Sequence, residues 1–358
     1  MTHRWSQRLS LRYIDALKRE ISGISDASNR TAAVDSIYFG GGTPSMIPPD
    51  QLGAVFACIG RAFDITGECE VSIEANPETI TPGRAESYIR MGINRISVGV
   101  QSFVDAELQA IGRRHSAGQA LDGIEVLRRA GFVNISLDLI LGLPGQTSTH
   151  WKRTLETAAK AAPSHVSVYM LDTDDAKARI HREVCTGRCA LPDDDLVADL
   201  YAESVDYLCR SGLAQYEISN FAHPGRECRH NLKYWTCRPV LGFGVSSHSF
   251  DGSARYANVA KLRPYLNLVE AGRSPEESRT YNDARRHVEE ALFLGLRLNR
   301  GVDLGEIAAR YGSEPLTRFK AALDEMSQCG LVEDAGNTVR LTARGRLMSN
   351  EVFSALLP

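Results

Sequence analysis

The sequence predicts an α/β fold: a sheet of parallel strands, open or curled into part of a barrel, with a smaller domain at the C-terminal end. Three observations carry that prediction. Five short apolar runs read as strands, each nearly continuous in apolar character rather than alternating, as happens when helices cover both faces of a parallel sheet. Helical stretches separate these runs in units of roughly 25 to 40 residues, the repeat of strand-helix folds. Past Gly212 the pattern dissolves, then re-forms as helices and a hairpin towards the end of the chain.

The strands are Ser36 to Phe39, Glu70 to Ala75, Arg95 to Val100, Asn134 to Leu141 and His165 to Leu171. One helix runs from a Ser116 cap through Ala120, Ile124 and Leu127 to Gly131, where a left-handed terminal residue fits. Another starts near Pro192 on three aspartates, which suit the positive end of a helix dipole. It repeats Leu196, Leu200, Tyr201, Val205 and Leu208 before Gly212. From Gly212 to about Arg273 the chain is rich in Gly, His and aromatic residues without a clean period. Beyond the polar stretch Ser274 to Asp283 come three helical patterns and a hairpin, Leu331 to Leu341, turning at Gly336-Asn337. The expected organisation is residues 1–212 as the barrel, 213–283 as a linker region and 284–358 as a winged-helix-like α+β domain.

Composition narrows the function. A chain of 358 residues, 43% hydrophobic, can bury one large core and still supply a second, smaller one. Its formal net charge of -3 offers no general basic field, so nucleic acid is not an expected partner and the winged-helix-like domain reads as a structural appendage. No run approaches the ~18 apolar residues of a membrane span, and Met1-Thr2-His3-Arg4-Trp5 does not open a signal peptide. A cytoplasmic protein is expected, with its eight scattered cysteines mostly reduced.

Candidate ligand groups gather at the strand ends. The first strand runs into Gly40-Gly41-Gly42-Thr43-Pro44, where bare backbone lets a ligand come close and leaves amide N–H groups free. Alone, such a run is as readily an ordinary tight turn. Later strands deliver Glu74, Gln101 and Asp138, the last ahead of Gly142-Leu143-Pro144-Gly145-Gln146-Thr147. Polar groups in apolar strands are costly without partners, and several on one rim favour a shared ligand. Arg113 can offer a planar fork to a carboxylate, a role open to Arg114 as well, whereas His115 reads as a surface or capping residue.

Four segments, Ser36 to Ser45, Ile73-Glu74-Ala75-Asn76-Pro77, Ser97 to Phe103 and Asp138 to Pro144, together resemble the oxygen-independent coproporphyrinogen oxidase-like family of radical S-adenosylmethionine proteins. The resemblance covers essentially the whole chain and implies a partial TIM-type barrel. Within that family, His230-Asn231-Leu232-Lys233-Tyr234-Trp235 resembles the His-Asn-x-x-Tyr-Trp signature of the haem-binding HemW branch. It implies a haem chaperone passing haem to an acceptor protein, with His230 as candidate iron ligand beside Asn231, Tyr234 and Trp235. A histidine among aromatic rings suits an axial ligand, and equally suits a packed core. By the same resemblance, Gly42 and Thr43 contact the methionyl part of S-adenosylmethionine, Arg113 pairs with its carboxylate, and Glu74, Gln101 and Asp138 meet the nucleoside. The alternative the family offers is an enzyme of porphyrin biosynthesis, an oxygen-independent coproporphyrinogen III oxidase.

Family members carry Cys-x3-Cys-x2-Cys after the first barrel strand, three thiolates for a 4Fe-4S cluster whose electron cleaves the sulfonium. This chain has no such motif; Cys185 and Cys189 match the first spacing, but no third cysteine follows. Whether it is an enzyme turns on that departure. Tyr13-Ile14-Asp15-Ala16-Leu17 resembles the helix that follows the cluster loop in relatives, so the barrel is expected to be truncated, with its first strand and cluster loop missing upstream. A start assigned too far downstream is preferred to a variant that lost radical chemistry. A second departure is Asp172-Thr173-Asp174-Asp175-Ala176, where relatives often have a Pro-Gly-Thr-Pro-like segment, so no site residue is assigned there. Cys228 and Cys237 flank the His-Asn motif and read as buried thiols rather than haem attachments.

Overall fold

Apolar runs and strong caps decide where the elements fall in the computed structural model, which describes residues 7–27, 33–173 and 179–356. In chain order the first elements are α1 (Gln7–Ala27), β1 (Ala33–Phe39), α2 (Pro49–Ala62), β2 (Asp64–Ala75), α3 (Pro82–Arg90) and β3 (Arg95–Gln101). Next come α4 (Asp105–Ala110), α5 (Ala117–Arg129), β4 (Asn134–Leu141), α6 (Ser148–Lys160) and β5 (His165–Met170). The irregular middle resolves into α7 (Arg179–Cys185), α8 (Asp194–Arg210), β6 (Ala214–Glu217), β7 (Asn220–Ala222) and α9 (Arg229–Trp235). It continues with β8 (His248–Phe250), β9 (Ala254–Asn258), α10 (Leu262–Glu270) and β10 (Glu276–Tyr281). Last are α11 (Ala284–Gly295), β11 (Val302–Asp303), α12 (Leu304–Tyr311), α13 (Ser313–Thr317), α14 (Lys320–Gln328), β12 (Val332–Ala335), β13 (Thr338–Leu341), α15 (Ala343–Leu347) and α16 (Ser349–Leu356).

Seven strands form one sheet in the order β1-β2-β3-β4-β5-β7-β6. The run from β2 to β5 is parallel, and its central strands are apolar and buried as the continuous patterns predict. β7 and β6 then return antiparallel, so the sheet is mostly rather than wholly parallel. These two are too short for a hydrophobic period to show, and β10, which occupies the polar stretch Ser274 to Asp283, is an exposed edge strand paired only with β9. The hairpin of β12 and β13 turns at Gly336-Asn337 as expected, with Gly336 in the left-handed region at φ 78°.

The expected caps are present. Ser116 Oγ accepts from the Gln119 N–H while Gln119 Oε1 accepts from the Ser116 N–H, a reciprocal capping box that starts α5. Asp193, first of the three aspartates, caps α8 just after Pro192, accepting from the Leu196 N–H at 2.8 Å. Gly131 and Gly212 follow their helices at φ 103° and 85°.

The described chain divides into two compact units that interleave in sequence. One comprises the residues up to Ile37, Ile47–Glu70 and Arg229 onwards; the other comprises Tyr38–Met46 and Val71–Cys228. In the first, α1 buries Ile14, Ala16 and Ile21 and packs on α2 and α10; Ser10 Oγ donates to Gln51 Oε1 at 2.7 Å across that contact. In the second, the buried strands β3 and β4 lie beneath helices whose largest anchor is Trp151, with no exposure at all.

Candidate functional site

The strand ends of the second unit hold the rim that the sequence singled out. Gly40 has no room for a side chain, since a Cβ there would stand 2.6 Å from the Tyr38 ring and 3.0 Å from Glu74 Oε1. Gly41 and Gly42 need their conformations instead, at φ 82° and 69°, with open space where side chains would be. Glu74 pins this turn: Oε1 accepts from Tyr38 Oη at 2.9 Å and Oε2 from the Gly41 N–H at 3.1 Å. Thr43 Oγ1 accepts from Asn76 Nδ2 at 3.2 Å, and Arg84 Nη1 donates to the Ser45 carbonyl at 2.5 Å. Asn76, Ser45 and Arg84 were not singled out from the sequence, although Asn76 and Ser45 lay inside recognisable motifs.

Gln101 ends β3 at φ 70°, a left-handed conformation costly for a residue with a side chain. It sits where the register of β3 against β4 shifts, a bulge that re-aims the buried side chain. Gly99 makes room, because a Cβ there would lie 2.9 Å from Gln101 Nε2. On β4, both oxygens of Asp138 accept from Ser97 Oγ at 3.0 Å, and Ser167 also donates to the carboxylate. The loop after β4 is closed by the buried Gln146: its Oε1 accepts from the Gly142 N–H at 2.8 Å and its Nε2 donates to buried Glu107 at 3.2 Å.

Loss of water dominates the electrostatics. It pushes the Asp138 and Glu74 carboxyls above their ordinary values, against hydrogen bonds from Ser167 and Ser97 in the first case and Tyr38 and Gly41 in the second. Each is held protonated more tightly in the fold than in the unfolded chain. The stability this contributes is complete below the ordinary carboxyl value, 3.8 for Asp138, and is lost as pH rises through the raised folded value. Asp138→Asn, which keeps an acceptor and donor for the serines, is therefore expected to raise the urea midpoint of the ligand-free protein at neutral pH, with the gap closing in acid. A lower midpoint at neutral pH would contradict this account.

Arg113 and Arg114, interchangeable in sequence, separate in structure: Arg114 is exposed and Arg113 is half-buried. Burial lowers the Arg113 pKa, while the nearby carboxylates of Glu78 and Asp138 act to raise it. Among the described residues its guanidinium has no hydrogen bond or ion pair, so a desolvated cation is offset only through space by those two carboxylates. His115 is not on the surface: its side chain is wholly buried, Nε2 donates to the Val100 carbonyl at 3.1 Å, and Nδ1 stands 3.5 Å from Glu78. His115 thus anchors the end of β3 through the Val100 carbonyl.

The His-Asn motif belongs to the first unit and forms α9. Buried Glu70 starts this helix by accepting from the N–H groups of Arg229 and His230, both at 3.1 Å, and Lys233 pairs with Asp35 at 2.5 Å. His230 Nδ1 lies 3.3 Å from Ser36 Oγ and Nε2 lies 3.0 Å from Tyr234 Oη, the two rings meeting edge to face at 5.2 Å. Trp235 carries the Arg297 guanidinium 4.4 Å over its ring, and its buried indole N–H has no acceptor among the described residues. Asn231 is partly exposed and its amide has no partner among the described residues. Cys228 and Cys237 are buried; burial pushes the Cys237 thiol up to about 11, which keeps it protonated at neutral pH.

Known proteins match this arrangement over nearly its full length. Residues 11–158 match the radical SAM superfamily and residues 282–348 the HemN C-terminal domain. The chain is 34% identical to the heme chaperone HemW of Bacillus subtilis, covering 96% of this chain and 91% of the relative. The chain belongs to the HemW family. Heme chaperone HemW of Mycobacterium tuberculosis is likewise 34% identical, over 97% of this chain and 86% of its own. The coproporphyrinogen III oxidase HemN of Escherichia coli, a radical SAM enzyme, superposes with a TM-score of 0.86 over 98% of this chain and 84% of its own, at 22% identity. That likeness establishes the fold: a radical-SAM, HemN-type half-barrel of mostly parallel strands with a C-terminal domain of helices and small antiparallel sheets.

Membership of this superfamily implies S-adenosylmethionine and a 4Fe-4S cluster. The rim residues of this HemW-family chain fit the first: an unpaired half-buried guanidinium suits a carboxylate, and an open glycine turn accepts close approach. They do not fit the second. Among the described residues no group of three or more His, Cys, Asp or Glu side chains converges as metal ligands. Cys185 is exposed with Sγ 3.6 Å from His181 Nε2, and Cys189 is only partly buried. Of the second departure read from the sequence, Asp172 to Ala176, residues Asp174 to Ala176 lie outside the described residues. No helix among those described is long and apolar enough to cross a membrane.

Proposed function

We propose that this chain is a haem chaperone, binding haem as cargo through the His230-Asn231-x-x-Tyr234-Trp235 segment and passing it to an acceptor protein. Near-full-length similarity to HemW heme chaperones carries the reading. The geometry supports it: α9 gathers an imidazole, an unpartnered amide and two aromatic rings within two turns. Both ring nitrogens of His230 are engaged by hydroxyls, so ligation through Nε2 requires Tyr234 Oη to give way. In the second unit, the rim of Gly42, Thr43, Glu74, Gln101, Arg113 and Asp138 takes S-adenosylmethionine in this reading, with Arg113 on its carboxylate.

The test is a haemin titration of the full chain followed in the Soret band. Wild type is expected to bind, and His230→Ala to weaken binding by about tenfold, the scale on which groups around a metal act. Unchanged affinity in His230→Ala would remove that residue, and no binding by wild type would remove the reading. The oxidase alternative would need three converging cluster thiolates, and no such group comes together among the described residues. This chain is expected to be inert towards coproporphyrinogen III under anaerobic, reducing conditions.

A further inference from the structure

We propose that Glu107 is the positioning residue for the nucleoside half of the rim. It fixes which way the Gln146 amide points, and so holds the turn after β4 and the strained end of β3 in their ligand-binding shape. This rests on the S-adenosylmethionine reading of the rim, and all of its residues belong to the second compact unit.

Glu107 lies on α4 with its side chain only 2% exposed. A carboxylate kept from water is costly unless donors surround it. Oε2 accepts from Ser102 Oγ at 2.6 Å and from Gln146 Nε2 at 3.2 Å, while Oε1 faces His150 Nδ1 at 3.2 Å. One side chain therefore meets the end of β3, the loop after β4 and the first turn of α6.

What Glu107 transmits is polarity. The Gly142 N–H can only donate, so the Gln146 atom 2.8 Å from it must be the amide oxygen. The amide nitrogen then points the other way and needs an acceptor, which Glu107 supplies. A donor at position 107 would oppose that nitrogen, and an amide turned over to suit it would set N–H against N–H at Gly142. That glycine, at φ 86°, leads directly out of the strand that carries Asp138.

The same carboxylate steadies Gln101. The Ser102 N–H donates back to the Val100 carbonyl at 2.9 Å, closing a γ-turn across Gln101, whose φ of 70° persists only where its surroundings over-determine it. A directed chain of bonds does so. The Phe103 N–H donates to Thr154 Oγ1 at 3.2 Å, and the Val104 N–H donates to Ser102 Oγ at 3.0 Å. Ser102 directs its one hydroxyl proton at Glu107, which leaves Thr154 to donate across the 3.3 Å to Ser102 Oγ. An acceptor at position 107 thus sets the sense of the whole network.

The test titrates the full chain calorimetrically with S-adenosylmethionine and with methylthioadenosine, which keeps the nucleoside and lacks the carboxylate assigned to Arg113, alongside urea unfolding. Glu107→Gln, equal in volume, is expected to weaken both ligands by the same factor, about tenfold. Adding Gln146→Glu exchanges donor and acceptor: the new carboxylate still accepts from the Gly142 N–H, and the new amide at position 107 donates to it. The double variant is expected to recover most of the wild-type affinity for both ligands, which a residue important only for packing would not allow. Wild-type affinity in Glu107→Gln overturns the proposal. So does a double variant that regains the wild-type urea midpoint without regaining affinity, since the network would then be structural alone. A loss confined to S-adenosylmethionine overturns it as well, by placing the effect at the carboxylate end. If wild type binds neither ligand, the reading of the rim fails and this proposal falls with it.

Discussion

Trp151→Ala is expected to cost the second unit about 4 kcal/mol, more than any other single truncation of its core. Trp151 is fully buried on α6, and its Nε1–H donates to Ser204 Oγ at 2.9 Å and to the Leu200 carbonyl at 3.1 Å on α8. The indole therefore fills volume and also ties two helices together. Trp151→Phe separates the contributions, because it keeps most of the apolar area and loses the donor. Ser204 Oγ still donates to Leu200 at 2.7 Å in that variant, so its cost should be nearer about 1 kcal/mol. The same helix begins at the Thr147 cap, directly after the loop closed by Gln146, so loosening α6 also loosens the rim. Urea unfolding followed by far-ultraviolet circular dichroism distinguishes the two variants. Equal losses in Ala and Phe would mean that the hydrogen bonds, not the packing, dominate.

Features with a local physical signature were legible in the sequence. β4 falls on the expected residues because a continuous apolar run has one low-energy solution beneath helices. The Ser116 and Gly131 boundaries follow from side-chain capping and left-handed backbone, both written in single residues. What escaped depends on neighbours distant in sequence. β7 exists because β5 offers it an edge, β6 because β7 does, and β10 because β9 does, and none of the three carries a hydrophobic period. The chemistry divides in the same way. Glu74, Gln101 and Asp138 were recognisable as polar residues in apolar strands, but their roles were not. Glu74 proves to brace the glycine turn through both oxygens, a role set by Tyr38 and Gly41 rather than by its own position.

Polar groups stripped of water and left short of partners mark where a fold has given up stability for binding. Arg113 is the clearest case here, which leads to the second expected result. Arg113→Leu should weaken S-adenosylmethionine by roughly a hundredfold in Kd, about 2.8 kcal/mol, while leaving the ligand-free protein as stable as wild type or slightly more so. The two halves have one cause. A half-buried guanidinium with no bond among the described residues costs the empty protein desolvation, which an arriving carboxylate would offset. Arg113→Lys should recover little, because an ammonium cannot reproduce the two parallel bonds of the fork. Arg114→Leu, at an exposed neighbouring position, should change neither property. Calorimetric titration with S-adenosylmethionine and with an analogue lacking the α-carboxylate completes a double-mutant cycle: wild type should discriminate strongly between them and Arg113→Leu should not. If wild type binds both alike, Arg113 does not meet the carboxylate. If Arg113→Leu instead destabilises the empty protein by several kcal/mol, the guanidinium is a structural group, and its lack of partners has another explanation than an awaited anion.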